Sequence, residues 1–110
     1  MKAILKKSSA AEPYSFAFLD NDGKTVVRSE NYTSRDSAMG GISSVKKNCR
    51  DDAHYELKQS SNDKYYFNLK ASNGQVVATS VMFDSDARRT EMIALLKNAA
   101  ESAPVEEQAG

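Results

Sequence analysis

Asp20-Asn21-Asp22-Gly23 has the composition of a calcium loop, in which carboxylate and amide oxygens lead into a glycine that lets the backbone turn sharply. An EF-hand with Gly23 at its sixth position would need an acid at Phe18 and a bidentate glutamate at Ser29, and both are missing. Asp22-Gly23 has a simpler use, since both residues tolerate the positive φ of a type I′ hairpin turn, and Asn73-Gly74 offers the same dipeptide again. His54 is the single histidine and stands beside Asp51 and Asp52, a combination that could hold a metal or pass a proton. Three residues on one connector cannot complete a coordination shell, so a partly exposed histidine entering a strand is expected.

Cys49 is the only cysteine, which excludes an internal disulfide and any Cys/His zinc framework. A nucleophilic thiol is favoured at a helix N-terminus or beside cations. Lys46, Lys47 and Arg50 are near, but Cys49 closes the apolar stripe of a helix at its far end and reads as a small core residue. Gly40-Gly41 inside a helical stretch costs about 0.5–1 kcal/mol per glycine relative to alanine, so something must compensate. Either Gly41 lets the helix approach its sheet closely, or the pair opens room for a small ligand near Tyr32. Tyr14, Tyr55, Tyr65 and Tyr66, with Lys58, Lys64 and Lys70 nearby, could form a sheet face on which bases stack. Lys64-Tyr65-Tyr66-Phe67 lacks the glycine of an RNA-recognition signature and the net charge is zero, so nucleic acid is not the expected partner.

The elements that position these residues come in two copies. Shifting the chain by 51 lays Tyr14-Ser15-Phe16-Ala17-Phe18 over Tyr65-Tyr66-Phe67-Asn68-Leu69, and Gly23, Val26, Ser34, Ile42 and Lys46 then meet Gly74, Val77, Ser85, Ile93 and Lys97. Tyr14, Phe16 and Phe18 alternate with smaller residues, as do Tyr65, Phe67 and Leu69, the period of a strand with one buried face. A further strand follows each turn, Thr25–Arg28 and Val76–Thr79, rich in β-branched residues. Ser34 and Ser85 stand where a helix needs an N-cap, and Asp36 and Asp86 put negative charge in the first turn. Ala38, Ile42, Val45 and Cys49 form the stripe of the first helix; Ile93, Leu96 and Ala100 form that of the second, with Arg89 in the place of Ala38 delaying close contact by a turn. The segment 53–58 serves as the strand after the first helix and the first strand of the second copy. Its later counterpart, Ala103-Pro104-Val105-Glu106, is at best a short edge strand because proline lacks a donor.

Length and composition fit this scheme. A chain of 110 residues can bury something over about 60% of its unfolded surface, and 40% hydrophobic with 27% charged residues is ordinary for a soluble protein. Lys6-Lys7 interrupts the apolar start too early for a signal peptide, and nothing approaches a membrane span, so a cytoplasmic location is expected. Residues 1–50 carry nine Lys/Arg against five Asp/Glu and residues 51–110 six against ten, so the halves are +4 and −4, which favours their association within one molecule.

Ser29-Glu30-Asn31-Tyr32-Thr33-Ser34, with Ala38, Gly41-Ile42-Ser43-Ser44-Val45-Lys46 and Asn48, resembles the signature of the YegP-like family of small uncharacterised bacterial and archaeal proteins. Tyr65–Ala71 with Asn73-Gly74 is similar to that family's other recurring stretch, while Val81-Met82-Phe83 and Met92 depart from it. The resemblance implies two tandem β3-α-β motifs assembled into one sheet with C-terminal strands exchanged between the copies. It implies no activity, substrate or catalytic residue.

The expectation is therefore an α+β fold with two helices on one face of an antiparallel-rich sheet. Residues 1–50 form the first repeat, 51–106 the second within one shared domain, and 107–110 a flexible tail. No catalytic residue, metal ligand, binding residue or cofactor is assigned. The chain is expected to be a monomeric, non-enzymatic binding or structural module for a protein or peptide partner, away from membranes. Nucleic-acid binding and a small-ligand or enzymatic site at Gly40 and Gly41 are the alternatives.

Overall fold

The period-two stretches become strands and the Ser-capped stretches become helices in the computed structural model, which describes residues 1–108. In chain order these are β1 (Lys2–Lys7), β2 (Tyr14–Leu19), β3 (Thr25–Arg28), α1 (Arg35–Asn48), β4 (Tyr55–Gln59), β5 (Tyr65–Lys70), β6 (Val76–Ser80), α2 (Asp86–Ala99) and β7 (Val105–Gln108). A single 3₁₀ turn, Asp52–His54, leads into β4. Ser34 and Ser85 cap their helices, accepting from the backbone N–H of Ser37 and Arg88, each at 3.1 Å.

All seven strands lie in one sheet, in the order β4-β5-β6-β3-β2-β1-β7. The two repeats meet where β3 pairs antiparallel with β6, Val27 opposite Ser80. The strand that follows each helix crosses to the other repeat. After α1 the chain becomes β4 and pairs with β5; after α2 it finds the flank of β2 already taken by β1 and adds outside β1 as β7, the one parallel pairing among the described residues. This is an α+β fold of two tandem repeats sharing one antiparallel-rich sheet, with strand exchange between them. No helix among the described residues is long and apolar enough to cross a membrane.

One core runs through both repeats: Phe16, Phe18, Ile42 and Val45 pack in the same cluster as Phe67, Leu69, Leu96 and Ala100. The α1 stripe is buried as its spacing predicts, but the α2 stripe is rotated. Arg89, Met92, Leu96 and Ala100 are the buried residues, and Ile93 sits at the margin. Arg89 does not delay contact. Its guanidinium reaches the Lys58 carbonyl at 2.9 Å and the Asp86 carboxylate at 2.6 Å, and it lies 5.2 Å from the centre of the Tyr65 ring, so a polar group is buried with partners for its terminal nitrogens.

The hairpin turns also differ from the type I′ expectation. In the Asp22-Gly23 and Asn73-Gly74 turns the glycines are left-handed, at φ 81° and 84°, while Asp22 and Asn73 are not. The Asp20 carboxylate accepts from the N–H groups of Asp22 and Lys24, and Gly23 N–H donates to the Asp20 carbonyl, which makes a three-residue loop with its left-handed residue last. Glu107 and Gln108 belong to β7 rather than to a tail, because they pair in register with Leu5 and Lys6 of β1, and the Glu107 carboxylate is also tied to Arg35. Residues 109 and 110 lie outside the described residues.

Candidate functional site

The fold scatters most of the residues singled out for their chemistry. The Asp20 carboxylate is spent on its own loop. Among the described residues no group of three His, Cys, Asp or Glu side chains converges in a way that could hold a metal ion. His54 Nε2 stands 3.9 Å from the Asp51 carboxylate, which already accepts from Ala53 N–H, so the pair is too loose to orient a base. Cys49 is fully buried; burial pushes its thiol up, with the Glu101 charge adding to the effect, the reverse of what a nucleophile needs. The Tyr55 hydroxyl caps α1 by donating to the Cys49 carbonyl at 2.6 Å, and burial raises that phenol too.

The two glycines separate cleanly. A Cβ on Gly41 would stand 2.6 Å from both Phe16 Cε2 and Tyr32 Oη, whereas nothing lies within 4 Å of one on Gly40. Gly41 is therefore a packing residue, and the space beside it is filled by the Tyr32 ring, stacked on Phe16 with centroids 6.2 Å apart. The four tyrosines do not form a platform. Tyr14, Tyr55 and Tyr65 share the helix-covered face with Phe16 and Phe67, leaving Tyr66 on the other.

That far face is itself divided. In the first repeat it carries a small buried apolar cluster of Ile4, Ala17 and Leu19. In the second it is a polar ladder: Asn68 Nδ2 and Lys70 Nζ donate to the Glu56 carboxylate at 3.0 and 2.9 Å, and Thr79 donates to Asn68 at 2.8 Å. These donors, Asn68 first and then Lys70, hold the Glu56 carboxyl below the usual range.

The site the sequence does not disclose is the outer edge of β4. β1 and β4 are equivalent strands: Leu5 lies opposite Phe16 in one repeat, and Leu57 lies opposite Phe67 in the other. On β1 the outward backbone groups are taken by β7, beginning with Ala3 N–H donating to the Pro104 carbonyl at 2.8 Å. On β4, Ser60 N–H donates inward to the Lys64 carbonyl, so by alternation Tyr55, Leu57 and Gln59 point their groups outward. The backbone N–H of Tyr55 already donates to the Asp52 carbonyl. Among the described residues no backbone group bonds Leu57 or Gln59 from outside. The consequence for the side chains is large, because Leu5 is 2% exposed and Leu57 is 56% exposed. Between this edge and α2 runs an open groove of about 370 Å³ lined by Asp52, Tyr55, Leu57, Thr90, Ile93, Ala94 and Lys97. The Lys97 ammonium closes one end on Asp52.

Comparison with known proteins agrees with the repeat. Residues 9–56 and 60–107 each match a family profile described as a domain of unknown function, DUF1508, two matches 51 residues apart. A UPF0339 protein from the 5′ region of the ptx operon of Stutzerimonas stutzeri is 44% identical over 97 residues, 88% of this chain and 87% of that one. The UPF0339 protein YegP of Escherichia coli K12 is 42% identical over 93 residues, 84% of each chain. Solution NMR structures of a UPF0339 protein from Shewanella oneidensis and of yegP from E. coli superpose with TM-scores of 0.91 and 0.90 at 34% and 38% identity. They cover 98% and 99% of this chain, and 91% and 93% of theirs. These relatives are bacterial, and the archaeal breadth implied by the resemblance is not among them. The E. coli structure is described as that of a protein of unknown function.

Proposed function

The chain belongs to the YegP-like UPF0339 family built on tandem DUF1508 repeats, and from that premise we propose that it is a monomeric, non-catalytic module that binds a protein or peptide partner by strand addition at the β4 edge. The observation that carries this reading is the unequal covering of two equivalent strands: β1 lies under β7, and β4 has no strand beyond it among the described residues and borders an apolar groove. A sheet edge with free donors and acceptors is a template for another extended chain, and soluble proteins ordinarily blunt or cover such edges. β4 has Glu56 and Lys58 to discourage unspecific pairing, but it leaves Leu57 exposed between them.

Support for a non-catalytic role comes from the dispersal of the titratable groups. His54, Cys49 and the Asp20 loop serve separate local structures, and the Gly41 space is filled by Tyr32 and Phe16. Mapping amide shifts of the ¹⁵N-labelled chain against cell extract tests the reading. Perturbations are expected to cluster on Leu57, Gln59, Ile93 and Lys97 and to vanish in Leu57→Asp. Shifts confined to the far face, or none at any extract concentration, would refute it.

A further inference from the structure

The strand that covers β1 shows what geometry the β4 edge is shaped to accept, and the residues that differ between the two edges show what chemistry. Resting on the strand-addition reading above, we infer that β4 takes an extended peptide segment running parallel to it. The segment carries aliphatic side chains beside Tyr55 and Leu57 and a basic side chain between them, beside Glu56.

Direction follows from β7 and from Lys97. β7 runs parallel to β1, with Val105, Glu106 and Glu107 beside Ala3, Ile4 and Leu5. Its entry is anchored by the Lys46 ammonium, which donates to the Ala103 carbonyl at 2.7 Å. Lys97 occupies the same place on α2, one repeat later, and in the absence of such a strand it rests on Asp52. A segment entering from the C-terminal end of α2 brings a carbonyl to Lys97 as Ala103 does to Lys46, while the Tyr55 N–H, the counterpart of the Ala3 donor, stays on Asp52, so that backbone pairing begins at Leu57. A second copy of the chain fits less well. Two β4 edges paired antiparallel about Leu57 would set Gln59 beside Tyr55, a polar side chain against the apolar groove of Tyr55, Ile93 and Ala94.

Side-chain preference follows from the pleat. Positions beside Tyr55 and Leu57 face the helix side and cover the groove and the exposed Leu57, so both favour a β-branched aliphatic. The position between them lies on the far face, where β1 offers Ile4 and β4 offers Glu56. In the first repeat Glu106 there is met by Lys2 at 3.1 Å. An acid at the same point of β4 would lie against the Glu56 carboxylate and compete with it for Lys70, which Glu56 already holds at 2.9 Å, and like charges side by side are unfavourable. The chain's own C-terminal sequence is thereby matched to β1 and mismatched to β4.

The test titrates the ¹⁵N-labelled full chain with two capped peptides, Ala-Pro-Val-Lys-Val-Gln and Ala-Pro-Val-Glu-Val-Gln. The lysine peptide is expected to give saturable shifts on Leu57, Gln59, Ile93 and Lys97, with the glutamate peptide weaker by about tenfold. Glu56→Gln should narrow that gap and Glu56→Lys invert it. A nitroxide on the peptide's N-terminus should broaden Tyr55 and Lys97, and one on its C-terminus Gln59. Equal affinity for the two peptides, the opposite broadening pattern, or no saturable shift from either would overturn the inference. Sedimentation showing that the chain alone dimerises, with the dimer lost in Leu57→Asp, would assign the edge to a second copy and overturn it as well. If extract still shifts the β4 edge while both peptides fail, the ligand chemistry is wrong and strand addition stands; if extract shifts it nowhere, both fall.

Discussion

Leu5 and Leu57 hold the same place in two copies of one motif, each opposite the first phenylalanine of the next strand, yet one is buried and the other lies largely in water. The difference is topological. A chain that exchanges strands between two tandem repeats has one more strand on the β1 side than on the β4 side, so the last strand finds its place only beyond β1. Topology therefore places β1 inside the sheet under β7 and leaves β4, its counterpart, at the rim opposite β7. The side chains differ accordingly: the far face beside the covered β1 is apolar, with Ile4, Ala17 and Leu19, and the face beside the open β4 is a charged and amide ladder centred on Glu56.

The widest gap between the edges should appear in a pair of truncations. Leu5→Ala is expected to cost about 2–5 kcal/mol, because its cavity would open beneath β7 and against the shared core. Leu57→Ala should stay within about 0.5 kcal/mol, as befits an exposed site. Urea melts of the two variants measure both. Equal losses would mean that the β4 edge is covered in solution, and the comparison between the repeats would fail.

A second contrast lies at the helix-sheet contact. Tyr32 stacks on Phe16 and its hydroxyl fills the space beside Gly41; Phe83 stacks on Phe67 with no hydroxyl, and Met92 stands where the glycine would be. Gly41→Ala is expected to destabilise by about 1–3 kcal/mol through overpacking, with helix propensity offsetting part of it. Tyr32→Phe should restore some of that loss and cost less alone, a coupling that a double-mutant cycle on thermal melts would detect. An additive cycle would show that the hydroxyl is not what requires the glycine.

These pairs also mark how far the sequence reaches. The hairpin strands and both N-caps follow from period, capping residues and the 51-residue shift, because each is set by nearby side chains, whereas the shared sheet is implied by the family resemblance. Gly41 with Tyr32 and Met92 with Phe83 change together between the copies, a signal present in the sequence that acquires meaning only when the Tyr32 hydroxyl is seen against Gly41. Which face of α2 is buried could not be read, since the terminal nitrogens of Arg89 find a carbonyl from β4 and a carboxylate one turn back, partners far apart or ambiguous in the chain. The open edge was invisible for the same reason. Tyr55-Glu56-Leu57-Lys58 reads as an ordinary half-buried strand, and its exposure depends on where the last strand of the chain comes to rest.

The smallest expected effect concerns how firmly that last strand is held. β7 is pinned at its far end by the Arg35 guanidinium, whose hydrogen bond and charge keep the Glu107 carboxyl below the ordinary value of 4.5. A carboxylate whose folded pKa is depressed contributes its stabilisation fully above the unfolded value and loses it as pH falls through the folded one. Acid should therefore loosen β7 from β1 below about pH 4.5, and because both partners are exposed the change should be modest and further weakened by salt. Amide exchange at Leu5 and Gln108 is expected to quicken over that range ahead of the β3–β6 seam, and Glu107→Gln should remove the pH dependence. If exchange at Leu5 stays flat while the seam opens, β7 is held by Lys46, Ala103 and backbone pairing alone, and the covering of β1 owes nothing to that ion pair.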